Sequence, residues 1–156
     1  MKKINLSVNG EMRSVETDPD TPLIYILRND LRHTGAKLGC ALEQCGACMV
    51  LVDGEPINSC VRAVFEFEGC KIETVEGLGS PDRMNAVQRV FAEENVAQCG
   101  YCTAGLVVSV TALFRKSANP TDTKITEALD RHLCRCGSHG RISAAIDKLR
   151  EEAKDE

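Results

Sequence analysis

Nine cysteines in 156 residues, seven of them in close groups of two or three, constrain this chain more than any other feature. Cys40, Cys45 and Cys48 lie close together and are followed, after a short interval, by Cys60. Cys99-Gly100-Tyr101-Cys102 and Cys134-Arg135-Cys136 supply two further pairs, and Cys70 stands alone. A chain of this size builds only a modest core, and thiols can reinforce it as disulfides, as metal ligands or as redox groups. The N-terminus, Met1-Lys2-Lys3-Ile4-Asn5, turns polar again at Asn9-Gly10 and lacks the apolar h-region of a secretory signal, which predicts a cytoplasmic chain. In that reducing compartment clustered cysteines bind metal or carry electrons more often than they form bridges.

The first four cysteines read C-x4-C-x2-C and then, eleven residues on, a fourth, which is the plant-type [2Fe–2S] spacing. Three thiolates on one tight loop can wrap the edge of a cluster while Cys60 arrives from the far arm of a hairpin turning at Asp53-Gly54. Gly39, Gly46 and Ala47 let backbone N–H groups approach the sulfurs and stabilise an added electron. Zinc is the rival, although zinc sites favour two separated C-x2-C knuckles. The second quartet, Cys99, Cys102, Cys134 and Cys136, is less specific as spacing, since CxxC also occurs in thioredoxin-like motifs and C-x-C fits many metal sites. The sequence around it carries no βαβ pattern, and both pairs fall at helix ends, where free N–H groups can face an anionic cluster.

Periodicity organises the rest. Ile4, Leu6 and Val8 alternate with polar neighbours, Asn9-Gly10 is a hairpin signal, and Arg13 to Val15 return. Thr21 is placed to cap a helix with Pro22 at its first position, with Leu23, Ile24, Leu27 and Leu31 on one face and an end between His33 and Gly35. Met49 to Val52 reads as a buried strand, Asp53-Gly54 as its turn, Ile57 to Val64 as the return and Ile72 to Val75 as a last strand. Gly77-Leu78-Gly79-Ser80-Pro81 is rich in breakers. Beyond it come four helical patterns: Val87, Val90 and Phe91; Leu106, Val107, Val110, Leu113 and Phe114; Ile125, Leu129 and Leu133; Ile142, Ala145, Ile146 and Leu149. A solvated, frayed tail is expected from Glu151 to Glu156. The expected organisation is a lobe over 1–76, a joint over 77–83 and a helical lobe over 84–156.

A net charge of −4 and the absence of tryptophan give neither a basic field nor a stacking platform for nucleic acid. The apolar runs fall short of the roughly 20 residues of a membrane span. With both quartets complete, Cys70 reads as a small buried hydrophobe at a strand edge, and His33, His132 and His139 as helix-end or surface histidines. Arg135 can offset nearby thiolate charge, and the Glu/Lys pattern of the last helix reads as a solvated face.

The segments Gln98-Cys99-Gly100-Tyr101-Cys102 and Leu133-Cys134-Arg135-Cys136-Gly137 carry a specific resemblance. Together with Ile26-Leu27-Arg28-Asn29-Asp30-Leu31, Gly39-Cys40, Cys45-Gly46-Ala47-Cys48, Val52-Asp53-Gly54 and Glu76-Gly77-Leu78, they make nearly the whole chain resemble the iron–sulfur subunit of molybdenum hydroxylases of the xanthine oxidase family. Cys-Arg-Cys-Gly followed by Ser138-His139 is most similar to the bacterial nicotinate, isoquinoline and aldehyde dehydrogenase type. Two departures stand out. Many relatives carry glycine where this chain has Ala41 and Glu43, and Ser138-His139 replaces a commoner aromatic segment.

The resemblance implies an α+β fold, with an N-terminal β-grasp, plant-ferredoxin-like lobe followed by an all-α four-helix-bundle lobe. It implies two [2Fe–2S] clusters, one on Cys40, Cys45, Cys48 and Cys60, the other on Cys99, Cys102, Cys134 and Cys136. A large partner subunit would hold molybdopterin, in its cytosine dinucleotide form, facing Gln98 and Cys136. Electrons from hydroxylation of an N-heterocycle or aldehyde would pass through the helical-lobe cluster to the plant-type one. They would leave near Cys45 and Cys48 for an FAD-binding subunit or a cytochrome. On that reading the chain is part of an oxidoreductase and not catalytic alone. A free-standing ferredoxin-like shuttle would need only the first lobe, and a zinc-stabilised interaction module would hold no iron.

Overall fold

The computed structural model of the chain describes residues 1–155; Glu156, the end of the tail expected to fray, lies outside the described residues. Strand β1 (Lys2–Val8) buries Ile4, Leu6 and Val8 and turns through Asn9 and Gly10, both at positive φ, into antiparallel β2 (Glu11–Thr17). Strand β3 (Met49–Val52) turns at Asp53-Gly54 into β4 (Glu55–Asn58), and β5 (Lys71–Glu73) lies antiparallel to β3 and parallel to β1. The mixed sheet runs β2-β1-β5-β3-β4.

The return strand is shorter than the expected run to Val64. Ser59 leaves the ladder because its N–H and hydroxyl both donate to the Cys48 carbonyl, which turns Cys60 back toward the cysteine loop. The last strand also ends early, and Val75–Gly77 forms a 3-10 turn. It is held by polar contacts across the chain. The Thr74 N–H donates to Asn9 Oδ1 (2.8 Å), the Thr74 hydroxyl to Glu76 (2.6 Å), and the Gly35 N–H to Glu76 (2.7 Å). Burial pushes the Glu76 carboxyl up, but these donors outweigh it and hold its pKa below the ordinary range.

The expected first helix is instead a single turn, α1 (Leu23–Tyr25), continuing as a π-helical turn over Ile26–Asp30. Its wider bonding, Leu31 N–H to Ile26 C=O, brings Leu23, Ile24, Ile26, Leu27 and Leu31 all into buried positions. Thr21 does not cap it; Pro22 holds that position, and the Thr21 hydroxyl lies 3.1 Å from that of Thr17.

Four helices follow: α2 (Ala86–Glu93), α3 (Thr103–Lys116), α4 (Asp122–Leu129) and α5 (His139–Asp155). Asn85 and Gln88 form a reciprocal capping box at the start of α2. Leu133, expected on the third helix, lies beyond α4 and is 63% exposed in the cysteine loop. The tail is helical through Asp155, and the face expected to be merely solvated joins α5 to α2 through Arg89–Glu152 and Lys148–Glu93 ion pairs. Exposed pairs of this kind contribute roughly 0–1 kcal/mol each.

Every residue of α3 from Ala104 to Ala112 is buried. A helix buried around its whole circumference needs neighbours on every side, and α3 has β3, β4, α2 and α4. Met49 and Leu51 of β3 share one hydrophobic core with Phe91, Val107, Val110 and Ile146, while Val50 joins the other core with Ile4, Leu27 and Phe67. Alternation along a single strand therefore divides the two cores, and burial on both faces accounts for its uninterrupted apolar sequence. Among the described residues no helix is long and apolar enough to cross a membrane.

Leu51→Ala should cost about 2–5 kcal/mol and lower the unfolding midpoint of sheet and helices together, read by far-UV circular dichroism. Helices that kept their midpoint would show that the cores are separable.

Candidate iron–sulfur sites

Cys40, Cys45 and Cys48 occupy the loop leading into β3, and Cys60 follows β4. Cys40 Sγ accepts the N–H groups of Leu42 and Gln44, each at 3.3 Å, and Cys45 Sγ accepts the Cys40 N–H at 3.4 Å. The loop aims these amides inward by alternating its backbone: Ala41, Glu43 and Gly46 have φ of 54°, 59° and 71°. Ala41 and Glu43 thus occupy left-handed positions where glycine meets no steric penalty, and each L-residue costs about 1–2 kcal/mol there. Gly39 is required by proximity, because a Cβ on it would lie 2.6 Å from Cys45 Sγ.

The thiols of this quartet fall into two pairs. Burial raises the Cys40 thiol, but the amides of Leu42, Gln44 and Cys45 and the Cys45 side chain outweigh it and bring it to about 7. Cys48 and Cys60 are packed together against Ile24 and Leu38, and burial and then the Cys60 thiol push Cys48 up to about 12. A thiol held so high ionises only against a cation, so loading such a site releases protons.

In the second quartet Cys102 stands at the N-cap of α3, Cys99 three residues before it, and Cys134 and Cys136 in the loop joining α4 to α5. All four line one small cavity together with Gln98, Leu106 and Ile142, and exposed Cys99 and Gln98 bring it to the surface. The Ser138 N–H is the main influence lowering Cys134 to about 7. Cys99 is lowered by the Tyr101 N–H and then the Cys136 thiol, and Cys102 is raised to about 11 by burial and then Cys134. Among the thiols, Cys136 thus acts most on Cys99, and Cys134 on Cys102. Paired thiols suit a two-iron cluster, each iron taking two thiolates.

The two quartets meet at a tight junction. The Leu133 N–H donates to the Cys45 carbonyl (3.1 Å), and the Tyr101 hydroxyl to the Leu38 carbonyl (2.5 Å). Between them lies His132, expected at a helix end or surface but only 7% exposed, with Nε2 2.7 Å from Ser109 Oγ. Burial, then the charge of Arg131, lowers its pKa to about 4. Sequence reasoning missed it because its burial comes from Gly46 and Gly105, both distant in the chain. Cys70 is half-buried rather than buried, in the turn before β5 and outside both quartets. His139 is exposed, as expected, and Arg135 is exposed as well. Cys48 is 1% exposed, so the solvent face of its loop is 41–44 rather than Cys48 itself.

Ala41→Gly and Glu43→Gly should each stabilise the loaded loop by about 0.5–1 kcal/mol, the relief of left-handed strain less the added freedom of the unfolded chain. Slower bleaching of cluster absorbance in guanidinium checks this. Gly46→Ala should act oppositely, since its φ is 71° and its Cβ would lie 2.2 Å from His132 Nδ1.

Comparison with known proteins agrees with this geometry. Residues 6–78 match the 2Fe-2S iron-sulfur cluster binding domain family, and residues 74–147 the [2Fe-2S] binding domain family. A nicotinate dehydrogenase subunit of Pseudomonas putida is 45% identical over 148 residues, covering 95% of this chain and 94% of that one. The structure of quinoline 2-oxidoreductase from Pseudomonas putida 86 superposes with a TM-score of 0.89 at 35% identity, over 99% of this chain and 96% of that one. The aldehyde oxidoreductase of Desulfovibrio desulfuricans superposes with a TM-score of 0.92 at 31% identity; it covers all of this chain, which spans 18% of that one. The chain belongs to the iron–sulfur subunits of the xanthine oxidase family of molybdenum hydroxylases.

Proposed function

We propose that the chain carries electrons from a molybdenum-binding subunit through two [2Fe–2S] clusters to an acceptor. The observation that carries this is the meeting of two thiol quartets, each gathered at one place in the fold, through one backbone hydrogen bond from Leu133 to Cys45. Cys40, Cys45, Cys48 and Cys60 hold one cluster in the lobe over 1–76, and Cys99, Cys102, Cys134 and Cys136 the other in the four-helix lobe over 84–156, across the joint at 77–83. An all-thiolate cluster takes up and gives back one electron at a time and offers no open position to substrate. The chain's own groups hold the sulfurs, direct amides at them and bury one side of each site.

Gln98 and the Cys136 region face the molybdopterin, in its cytosine dinucleotide form, of the large subunit, because there the second cavity opens to the surface. Electrons leave on the side of the 41–44 loop, where Leu42 is exposed, toward an FAD subunit or a cytochrome. We assign the complex to the cytoplasm and its substrate to the N-heterocycles or aldehydes. A lone ferredoxin-like shuttle has no use for the second quartet.

Fully loaded protein should contain about four irons and four labile sulfides per chain, with two distinct EPR signals. Cys45→Ser should damage only the first signal and Cys102→Ser only the second, while Cys70→Ser leaves both; loss of a cluster on changing Cys70 would overturn the ligand assignment. In reconstitution, substrate should reduce both clusters when the molybdenum subunit is present and neither in the isolated chain. Hydroxylation by the isolated chain would falsify the proposal.

A further inference from the structure

We infer that His132 is a positioning residue for electron exchange between the two clusters: its ring holds in register the backbone contact that links a ligand of one cluster to a ligand of the other. The inference rests on the two-cluster function proposed for the chain. Cys45 belongs to the first quartet, and Leu133 precedes Cys134 of the second. The Leu133 N–H to Cys45 carbonyl bond, 3.1 Å long, therefore completes a route from sulfur to sulfur made of covalent bonds and one hydrogen bond. Electron exchange along such a route weakens steeply when a bonded link becomes a through-space gap, so whatever keeps this contact closed matters for the rate.

His132 is built to keep it closed. Its own N–H donates to the Leu129 carbonyl (2.9 Å), anchoring the segment to the end of α4. Its Nε2 is 2.7 Å from Ser109 Oγ, one turn along α3 from Gly105. Its other side meets the first cysteine loop. A Cβ on Gly46 would lie 2.2 Å from His132 Nδ1 and 2.5 Å from the Arg131 carbonyl, and one on Gly105 would lie 2.1 Å from the Gly46 carbonyl oxygen and 3.3 Å from His132 Cε1. Loop, helix and ring are in mutual contact, so Gly46 cannot move toward α3 and Leu133 cannot swing away without displacing the ring.

Packing alone does not account for a histidine here. Its Nδ1 is buried without a hydrogen-bond partner among the described residues, which costs about 1–3 kcal/mol that a leucine or phenylalanine would avoid. What an apolar ring would lack is the Ser109 bond, which fixes the ring plane against α3. Cross-linking of this kind, behind metal ligands rather than on the metal, orients the ligands.

The test uses the full chain loaded with both clusters. His132→Ala should keep the iron content and the separate g-values of the two clusters. It should narrow any spin–spin splitting that appears when both are reduced, and slow intercluster exchange after flash reduction about tenfold. His132→Gln, whose amide reaches Ser109, should recover most of both. A loaded His132→Ala protein with unchanged splitting and exchange rate overturns the inference. Should His132→Ala fail to load a cluster, Ser109→Ala decides: it leaves the ring and removes its anchor, should weaken the splitting and slow exchange in the same direction, and overturns the inference if both are unchanged. An unmutated chain that loads fewer than two clusters removes the two-cluster function, and with it this inference, and is distinguished by needing no mutation.

Discussion

Everything that relates one half of this molecule to the other depends on a close approach of two backbones. At Gly105 helix α3 comes so near the Gly46 carbonyl that a single added carbon would sit 2.1 Å from its oxygen. Cys102 is the N-cap of helix α3, and Gly46 lies between Cys45 and Cys48, so this contact sets how far apart the two quartets stand. A larger residue at either glycine would push α3 off the loop and break the Leu133 to Cys45 hydrogen bond beside it. The helix can be held so close because it is buried along nine successive residues, with β3 beneath it and helices on its other sides. Packing of that density resists small displacements, which a chain that passes electrons between fixed centres requires.

The cysteine sites themselves are shaped by backbone amides more than by charged side chains. Leu42, Gln44 and Cys40 direct N–H groups at the first quartet, and Ser138 and Tyr101 influence the second in the same way. Fixed amides stabilise charge on sulfur without placing a mobile counterion next to it, and they need no reorganisation when an electron arrives. For the first loop this preorganisation has a cost, because Ala41 and Glu43 are held at angles that L-residues avoid. The buried partners Cys48 and Cys102 lie at the other extreme, with thiols pushed to about 12 and about 11, so each site combines a readily ionised sulfur with one that needs metal.

Membership in the molybdenum hydroxylase family fits a chain that conducts rather than transforms. Neither the sheet nor the helices set the geometry alone: β3 gives Val50 to one core and Met49 and Leu51 to the other, and ion pairs such as Arg115–Glu73 and Lys116–Glu55 fasten the end of α3 to the strands. The two sites are therefore parts of one rigid arrangement. Cys99 and Gln98 beside one site and the loop at 41–44 beside the other are exposed to solvent.

Much of this architecture was legible in the sequence. The spacing of Cys40, Cys45 and Cys48 demands a tight loop, Asn9-Gly10 demands a hairpin, and the apolar period after Pro81 demands helices, because each acts over a few residues where covalent geometry leaves little choice. The α+β character and the four helical segments follow from such local rules. Where local pattern misled, distant contacts had intervened: α1 widened into a π-turn to bury Ile26 with Leu27, Leu133 left its helix to bond Cys45, and Ser59 ended β4 to reach the Cys48 carbonyl. His132 is the sharpest case. Nothing in its neighbours in sequence marks it for burial, since residues 46, 105 and 109 surround it only once α3 has settled on the sheet. Local spacing determined which cysteines could act together and which segments could be strands or helices. Only the tertiary structure decided how the two quartets face each other, because that relation is carried by contacts between residues that no short stretch of chain brings together.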